Sequence, residues 1–238
     1  MPRAFEKWTV LRHGLIEKLA DNLWRIEGAL PGMALKRVFT IARMRDGRLL
    51  LHGAMALDED TMRELEAWGR PGFMMVPNGF HRLDARVYKA RYPDLKVIAP
   101  AGSRKRIEQV VPVDLLVEEF AGDDAVRLEY PDGLGRIEAL LRVRHPAGGE
   151  TLVFTDAVFN LKEKLPGAVG LLLGLIGTRP GPRVTGIAKT FLVKDRSAYR
   201  AYLERLAAAP EISRVIVAHG AVVSDRCSDF LRAAAATL

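Results

Sequence analysis

The sequence predicts a mixed α/β (α+β) protein, and three observations carry that prediction. Short apolar runs, alternating or continuous, fill residues 22–27, 38–44 and 48–52. Between residues 58 and 99, segments of helical period alternate with apolar runs ending at Val76 and Ala99, the order of a β-α-β-α-β unit with parallel strands. A second set of short apolar runs then precedes two helical segments near the C-terminus.

Each element has a local reason. Residues 22–27 alternate apolar and polar side chains as a half-buried strand does, and 38–44 continue the pattern. Asp46-Gly47 makes a tight turn into 48–52, which completes a hairpin. Asp58 is placed to cap a helix reaching Trp68, because Met62, Leu65 and Trp68 recur on one face and Gly69 suits the C-terminal cap. The strand ending at Val76 is stopped by Pro77-Asn78-Gly79. A helix over 83–91, ended by Pro93, a strand over 95–99 and a brief helix from Ser103 come next. Residues 113–117, 125–130 and 136–143 read as strands, with Pro131-Asp132-Gly133 as a turn, and a further strand over 151–155 runs into Asp156. Asp195 caps a helix reaching Ala209, Pro210 ends it, and a strand to Ala218 and a helix from Ser224 complete the chain. Residues 160–190, rich in glycine and proline, form a candidate lid in what reads as one domain over residues 1–238.

Composition narrows the function. With 49% hydrophobic and 27% charged residues among 238, the chain carries enough apolar material for a core and is not a disordered segment. A net charge of +7 and a pI near 9.7 admit a weak attraction to nucleic acid, anionic membranes or acidic substrates, but the basic residues are scattered and the charge reads mostly as solubility. The densest basic cluster, Arg104-Lys105-Arg106, is short and lacks interleaved aromatics for stacking bases, so no specific nucleic-acid partner is expected. The lone Cys227 allows no internal disulfide and no cysteine-based zinc site. It shares an apolar helix face with Phe230, Leu231 and Ala234, which suits a buried small residue better than a nucleophile. Residues 1–11 are mixed and charged, and the most apolar run, 168–176, is far shorter than the ~20 residues a spanning helix needs. The expectation is therefore a cytoplasmic protein with no membrane partner. No Gly-x-Ser-x-Gly elbow and no Lys-Ser/Thr-terminated phosphate loop occurs, which argues against serine-nucleophile and nucleotide chemistry.

The residues that carry chemistry cluster at strand ends. After Val76 the chain turns and offers Asn78, His81 and Asp84 at the strand's C-terminal edge, where α/β proteins place their sites. Asp156 follows residues 151–155, His219-Gly220 follows 214–218, and His145 precedes Pro146-Ala147-Gly148-Gly149. Histidine and carboxylate are the side chains that zinc, iron or manganese would use. His52, at the end of an early strand, reads either as a plain edge-strand histidine or as an addition to the nitrogen set, and His13 reads as a surface residue.

From residue 22 to the C-terminus this succession resembles the metallo-β-lactamase fold of metallo-hydrolases and oxidoreductases. The resemblance implies a four-layer αββα sandwich. More closely, the chain is similar to a DUF4336-like branch whose first metal motif is degenerate: with His81 as the closing histidine, the earlier ligand positions fall on Val76, Asn78 and Phe80. His145 looks like the family's histidine in its glycine-rich turn, Asp156 like the metal-bridging aspartate and His219 like the final histidine. What this implies is one divalent metal, zinc foremost with iron or manganese as alternatives, held by His81, Asp156 and His219 with His145 beside them, or no metal at all. The implied activity is water activated against an ester, amide or phosphoester, with Asp84 or Asn78 in the catalytic role of the carboxylate that Phe80 replaces. The alternative is a non-catalytic module that binds a small ligand. In both readings the partner is a small molecule, and the oligomeric state stays open.

Overall fold

The alternating runs at the start of the chain fold as an antiparallel meander of β1 (Glu17–Ala20), β2 (Leu23–Leu30), β3 (Met33–Arg43) and β4 (Arg48–His52). The computed structural model describes residues 4–164 and 179–238, with Gly170 and Gly174 between them. At the β3–β4 turn Gly47 has φ 81°, a conformation that glycine takes without a Cβ penalty. The strands β5 (Arg70–Met75), β6 (Lys96–Ala99) and β7 (Leu115–Leu116) extend the same sheet in parallel. Helices α1 (Glu59–Trp68), α2 (Ala85–Arg91) and α3 (Arg104–Ile107) lie between these strands in sequence. The resulting order is β1 to β7 without interruption.

A second, four-stranded sheet contains β8 (Val126–Glu129), β9 (Leu140–Arg144) and β10 (Glu150–Phe154) as antiparallel neighbours. Beyond them come a short ribbon of β11 (Phe159–Leu161) and β12 (Gly181–Arg183), then helices α4 (Gly186–Phe191) and α5 (Arg196–Ala208). The strand β13 (Ile212–Val217) joins the second sheet parallel to β10, and α6 (Cys227–Ala235) follows it.

Period-two alternation decides the layering. Trp24, Ile26, Phe39 and Leu51 turn one face of the large sheet toward Leu65 of α1 and Tyr88 of α2. The alternate residues Leu23, Val38, Ala42 and Leu50 meet Leu141, Val143, Val153 and Ile216 of the second sheet. On the far face of that sheet, Leu152, Phe154, Val215 and Val217 pack on Tyr199, Leu203, Phe230 and Leu231 of α5 and α6. Helix, sheet, sheet and helix are thus stacked as an αββα sandwich. Because both faces of each sheet are covered, its central strands read as continuous apolar runs, and each fully buried large side chain contributes about 1.5–3 kcal/mol.

Gly69 caps α1 as expected, its N–H donating to the Leu65 carbonyl at 3.2 Å, with an extended backbone (φ −176°, ψ 163°). Glycine is needed there because a Cβ would stand 2.6 Å from the Leu49 side chain and 2.7 Å from the Gly47 carbonyl. Residues 135–137 form a 3-10 turn, and the strand expected over 136–143 begins at Leu140. The His13 side chain is largely covered and lies 3.1 Å from Asp58. Of the candidate lid over 160–190, residues 165–169, 171–173 and 175–178 lie outside the described residues. Among the described residues, no helix is long and apolar enough to cross a membrane.

Candidate metal centre

Three strand ends converge at one edge of the sandwich. After β5, Asn78 Oδ1 accepts hydrogen bonds from the backbone N–H groups of Phe80 (2.8 Å) and His81 (3.2 Å), the local turn to which asparagine is suited. That turn sets the His81 backbone. Asp156 and His219 follow β10 and β13, which are parallel neighbours and so finish on the same side. The Val38 N–H donates to the Ala218 carbonyl at 3.0 Å, tying the end of β13 to β3 of the other sheet.

The side chains meet on a single oxygen. His81 Nε2 lies 3.1 Å and His219 Nε2 3.4 Å from Asp156 Oδ1, and among the described residues these three bring ligand atoms within 4.8 Å of one another. His219 Nδ1 is 2.7 Å from the Lys36 carbonyl oxygen. A carbonyl only accepts, so Nδ1 carries the proton and Nε2 presents a lone pair toward Asp156. The His219 Nε2 lone pair and the Asp156 carboxylate oxygen, facing one another across this gap, suit a cation. Nitrogen and oxygen ligands of tetrahedral zinc, at about 2.0–2.1 Å from the ion, stand about 3.3 Å apart, close to the two spacings seen. The donor set therefore fits one divalent metal.

Electrostatics keeps Asp156 ionised. Burial by itself would raise its pKa, but His81 and His219, when their rings are protonated at both nitrogens, set positive charge and N–H donors beside it, which outweighs that effect and holds the carboxyl well below its ordinary value; the neutral rings instead offer Nε2 as a ligand. Its second oxygen accepts from Asn78 Nδ2 at 2.8 Å, which leaves Oδ1 for the imidazoles. Asn78 thus orients the aspartate from a fully buried position.

Glu138, absent from the sequence-based candidates, completes this network. It is 2% exposed and accepts from the backbone N–H groups of Thr155, Asp156 and Ala157, and from Asn78 Nδ2 at 3.0 Å. Burial, and then the Asp156 charge, push its pKa up to about 7. The signal was available in the hairpin register. Arg144 pairs with Glu150 and Leu141 with Val153, so counting outward sets residue 138 opposite 156.

The same register places His145 elsewhere. It sits at the turn of the β9–β10 hairpin, its N–H donating to the Gly149 carbonyl, while Asp156 lies beyond the other end of β10. Five residues of strand from Thr151 to Asp156 amount to roughly 16 Å. His145 is buried between Asn22 Oδ1 and Thr151 Oγ1, each 2.8 Å from a ring nitrogen, and is not brought to the trio. Asp84 is not brought there either: it is fully buried, paired with Arg37, and accepts the Ala56 N–H at 2.9 Å. His52 is buried beneath the site, and desolvation, then the His81 charge, lower its pKa to about 3. Its Nε2 has no hydrogen-bond partner among the described residues. Phe80 lines the cavity at the trio, with the Arg106 guanidinium 4.2 Å from its ring centre.

His81, Asp156 and His219 line a cavity of about 400 Å³, a size typical of small-molecule sites. No protein-family profile and no curated protein sequence matches the chain. Solved structures do. DIM-1 metallo-β-lactamase exposed to ceftazidime matches with a TM-score of 0.63 and 12% identity, over 96% of this chain and 99% of that one. A metallo-β-lactamase from Erythrobacter litoralis, with β-mercaptoethanol in its active site, matches with a TM-score of 0.60 and 15% identity, over 94% and 96% of the two chains. The layering, the strand ends that meet at the cavity and these two likenesses agree: the chain has the metallo-β-lactamase fold.

Proposed function

We propose that this protein is a metal-dependent hydrolase with an atypical, mononuclear site, acting on a small molecule that carries an ester, amide or phosphoester. The observation that supports this best is the convergence of two imidazole nitrogens on one Asp156 oxygen, with the His219 tautomer set by the Lys36 carbonyl. A divalent ion held there, zinc foremost and iron or manganese otherwise, supplies Lewis acidity that polarises a carbonyl or phosphoryl oxygen and acidifies water.

The chain's own groups have distinct tasks in this reading. His81, Asp156 and His219 hold the ion; Asn78 keeps Asp156 Oδ2 turned away from it, and the Lys36 carbonyl orients His219, as groups behind metal ligands do. Glu138 fixes the backbone that carries Asp156. The degenerate first motif, with Val76, Asn78 and Phe80 where the resemblance expects ligands, accounts for one metal rather than two and agrees with the DUF4336-like branch.

Phe80 favours a second reading, in which the fold serves as a non-catalytic binding module, because no carboxylate stands at that position to orient water. Elemental analysis separates the two. The protein, purified without added metal or a nickel column, is expected to carry a stoichiometric transition metal that His81→Ala and Asp156→Ala both lose. Failure of the parent to hold or take up zinc, iron or manganese would overturn the hydrolase reading in favour of the binding module.

A further inference from the structure

The cavity beside the candidate metal centre is apolar over most of its wall. Leu30, Met33 and Leu35 from the β2–β3 hairpin face it, as do Phe159, Ile187 and Phe191. Among the described residues only five large hydrophobic side chains are exposed, and three of them, Met33, Ile187 and Phe191, line this one cavity, with Phe191 60% exposed. Leu35 and Phe159 in the same wall are buried. Exposed apolar side chains grouped this way mark a surface meant to be covered, and here the grouping leads inward to His81, Asp156 and His219.

The charged groups of the wall are already engaged. Arg37 pairs with Asp84 and donates to the Ala29 carbonyl, which leaves its Nη2 as a donor with no hydrogen-bond partner among the described residues, and Arg82 donates to the Arg106 carbonyl and to Gln109. A multiply charged phosphoester would meet hydrocarbon on most sides, with few free donors for its oxygens. A molecule with one polar, cleavable carbonyl and a hydrocarbon tail matches both ends of the cavity.

We infer that the substrate is a medium-chain acyl ester, its acyl chain lying among Leu30, Met33, Leu35, Phe159, Ile187 and Phe191 and its carbonyl at the His81–Asp156–His219 end. The inference rests on the hydrolase reading above and names the substrate class for that site. A methylene takes about the 30 Å³ of a liquid water, so the cavity holds about a dozen non-hydrogen atoms, enough for an acyl chain of about eight carbons with its ester group. In the reaction a water oxygen forms a bond to the carbonyl carbon, and the bond from that carbon to the alkoxy oxygen breaks. One water proton passes to the departing alkoxide, giving one carboxylic acid and one alcohol.

Calorimetric titration with acetate, butyrate, hexanoate, octanoate and dodecanoate tests the pocket, on metal-free and zinc-loaded protein alike. Affinity is expected to rise by up to about 4-fold per methylene, the equivalent of about 0.8 kcal/mol, and to level off beyond octanoate as the cavity fills. The double variant Ile187→Ser/Phe191→Ser, changed only at exposed positions, is expected to bind octanoate about tenfold more weakly, and Met33→Ser tests the opposite wall independently. Equal affinity for acetate and octanoate, or a chain-length gain untouched in both variants, would overturn the acyl pocket.

Turnover of the p-nitrophenyl esters of acetate and octanoate by the zinc-loaded protein keeps the two claims apart. Octanoyl ester hydrolysed at the higher kcat/KM supports both. Chain-length-dependent binding without turnover of either ester supports the acyl pocket and removes the hydrolase reading. Equal turnover of both esters with equal binding preserves hydrolysis and overturns the acyl chain as the determinant.

Discussion

Glu138 stands opposite Asp156 across the β9–β10 hairpin, and its carboxylate accepts the Asp156 N–H at 3.0 and 3.1 Å. Two carboxyl groups so close are sorted by their surroundings. Glu138 is buried among backbone donors and its pKa rises to about 7, whereas His81 and His219 keep Asp156 ionised.

His145 is expected to matter for stability and not for metal. His145→Ala leaves Asn22 Oδ1 and Thr151 Oγ1 without the partner each now has at 2.8 Å, a loss of about 1–3 kcal/mol. Urea unfolding should record that loss while elemental analysis finds the parent's metal content. A variant as depleted of metal as His219→Ala would show that His145 reaches the site.

Gly220→Ala is expected to loosen His219. Gly220 has φ 132°, and a Cβ there would lie 2.1 Å from the Asn160 carbonyl oxygen, so the backbone must shift. The displacement should weaken metal binding by about 10- to 100-fold, as loss of a ligand-orienting group does, and cost about 1–3 kcal/mol of stability. Competition with a chelator and thermal melting measure the two effects. Unchanged affinity would mean that the Lys36 carbonyl alone positions the imidazole.

His52 should make the fold sensitive to acid. Its pKa falls from 6.5 to about 3 on burial, so the folded protein keeps the ring neutral while the unfolded chain takes up a proton below pH 6.5. The sign follows from linkage: the contribution is complete above 6.5 and is lost as pH falls toward 3, by about 1.4 kcal/mol per pH unit. His52→Gln removes this proton uptake. The difference in urea-unfolding free energy between parent and variant should change with that slope between pH 6 and 4 and stay level above pH 7. A level difference throughout would show that the ring is solvated.

Much of the fold was legible because its signals are local. Asp58 and Asp195 accept the Thr61 and Ala198 N–H groups at the starts of α1 and α5, and such capping depends on three or four consecutive residues. Asp156 and His219 were legible for a similar reason: each directly follows a short apolar strand. The helix face bearing Cys227, Phe230, Leu231 and Ala234 is buried as its spacing required.

The site's membership was settled at longer range. His145 and Glu138 flank the same strand, β9, and only the register of the β9–β10 pair sets Glu138 beside Asp156 and sends His145 to the opposite end. Asp84 lies three residues from His81, yet Arg37, forty-seven positions earlier in the chain, draws it into a buried ion pair. The Lys36 carbonyl that sets the His219 tautomer is a backbone atom 183 residues away, and no side-chain pattern advertises a carbonyl. Apolar periodicity and strand-ending turns are properties of neighbouring residues, so they specified the elements and the strand ends where chemistry is found. Which histidine meets which carboxylate depends on strand pairing and on the stacking of two sheets, contacts that exist only once the chain has folded.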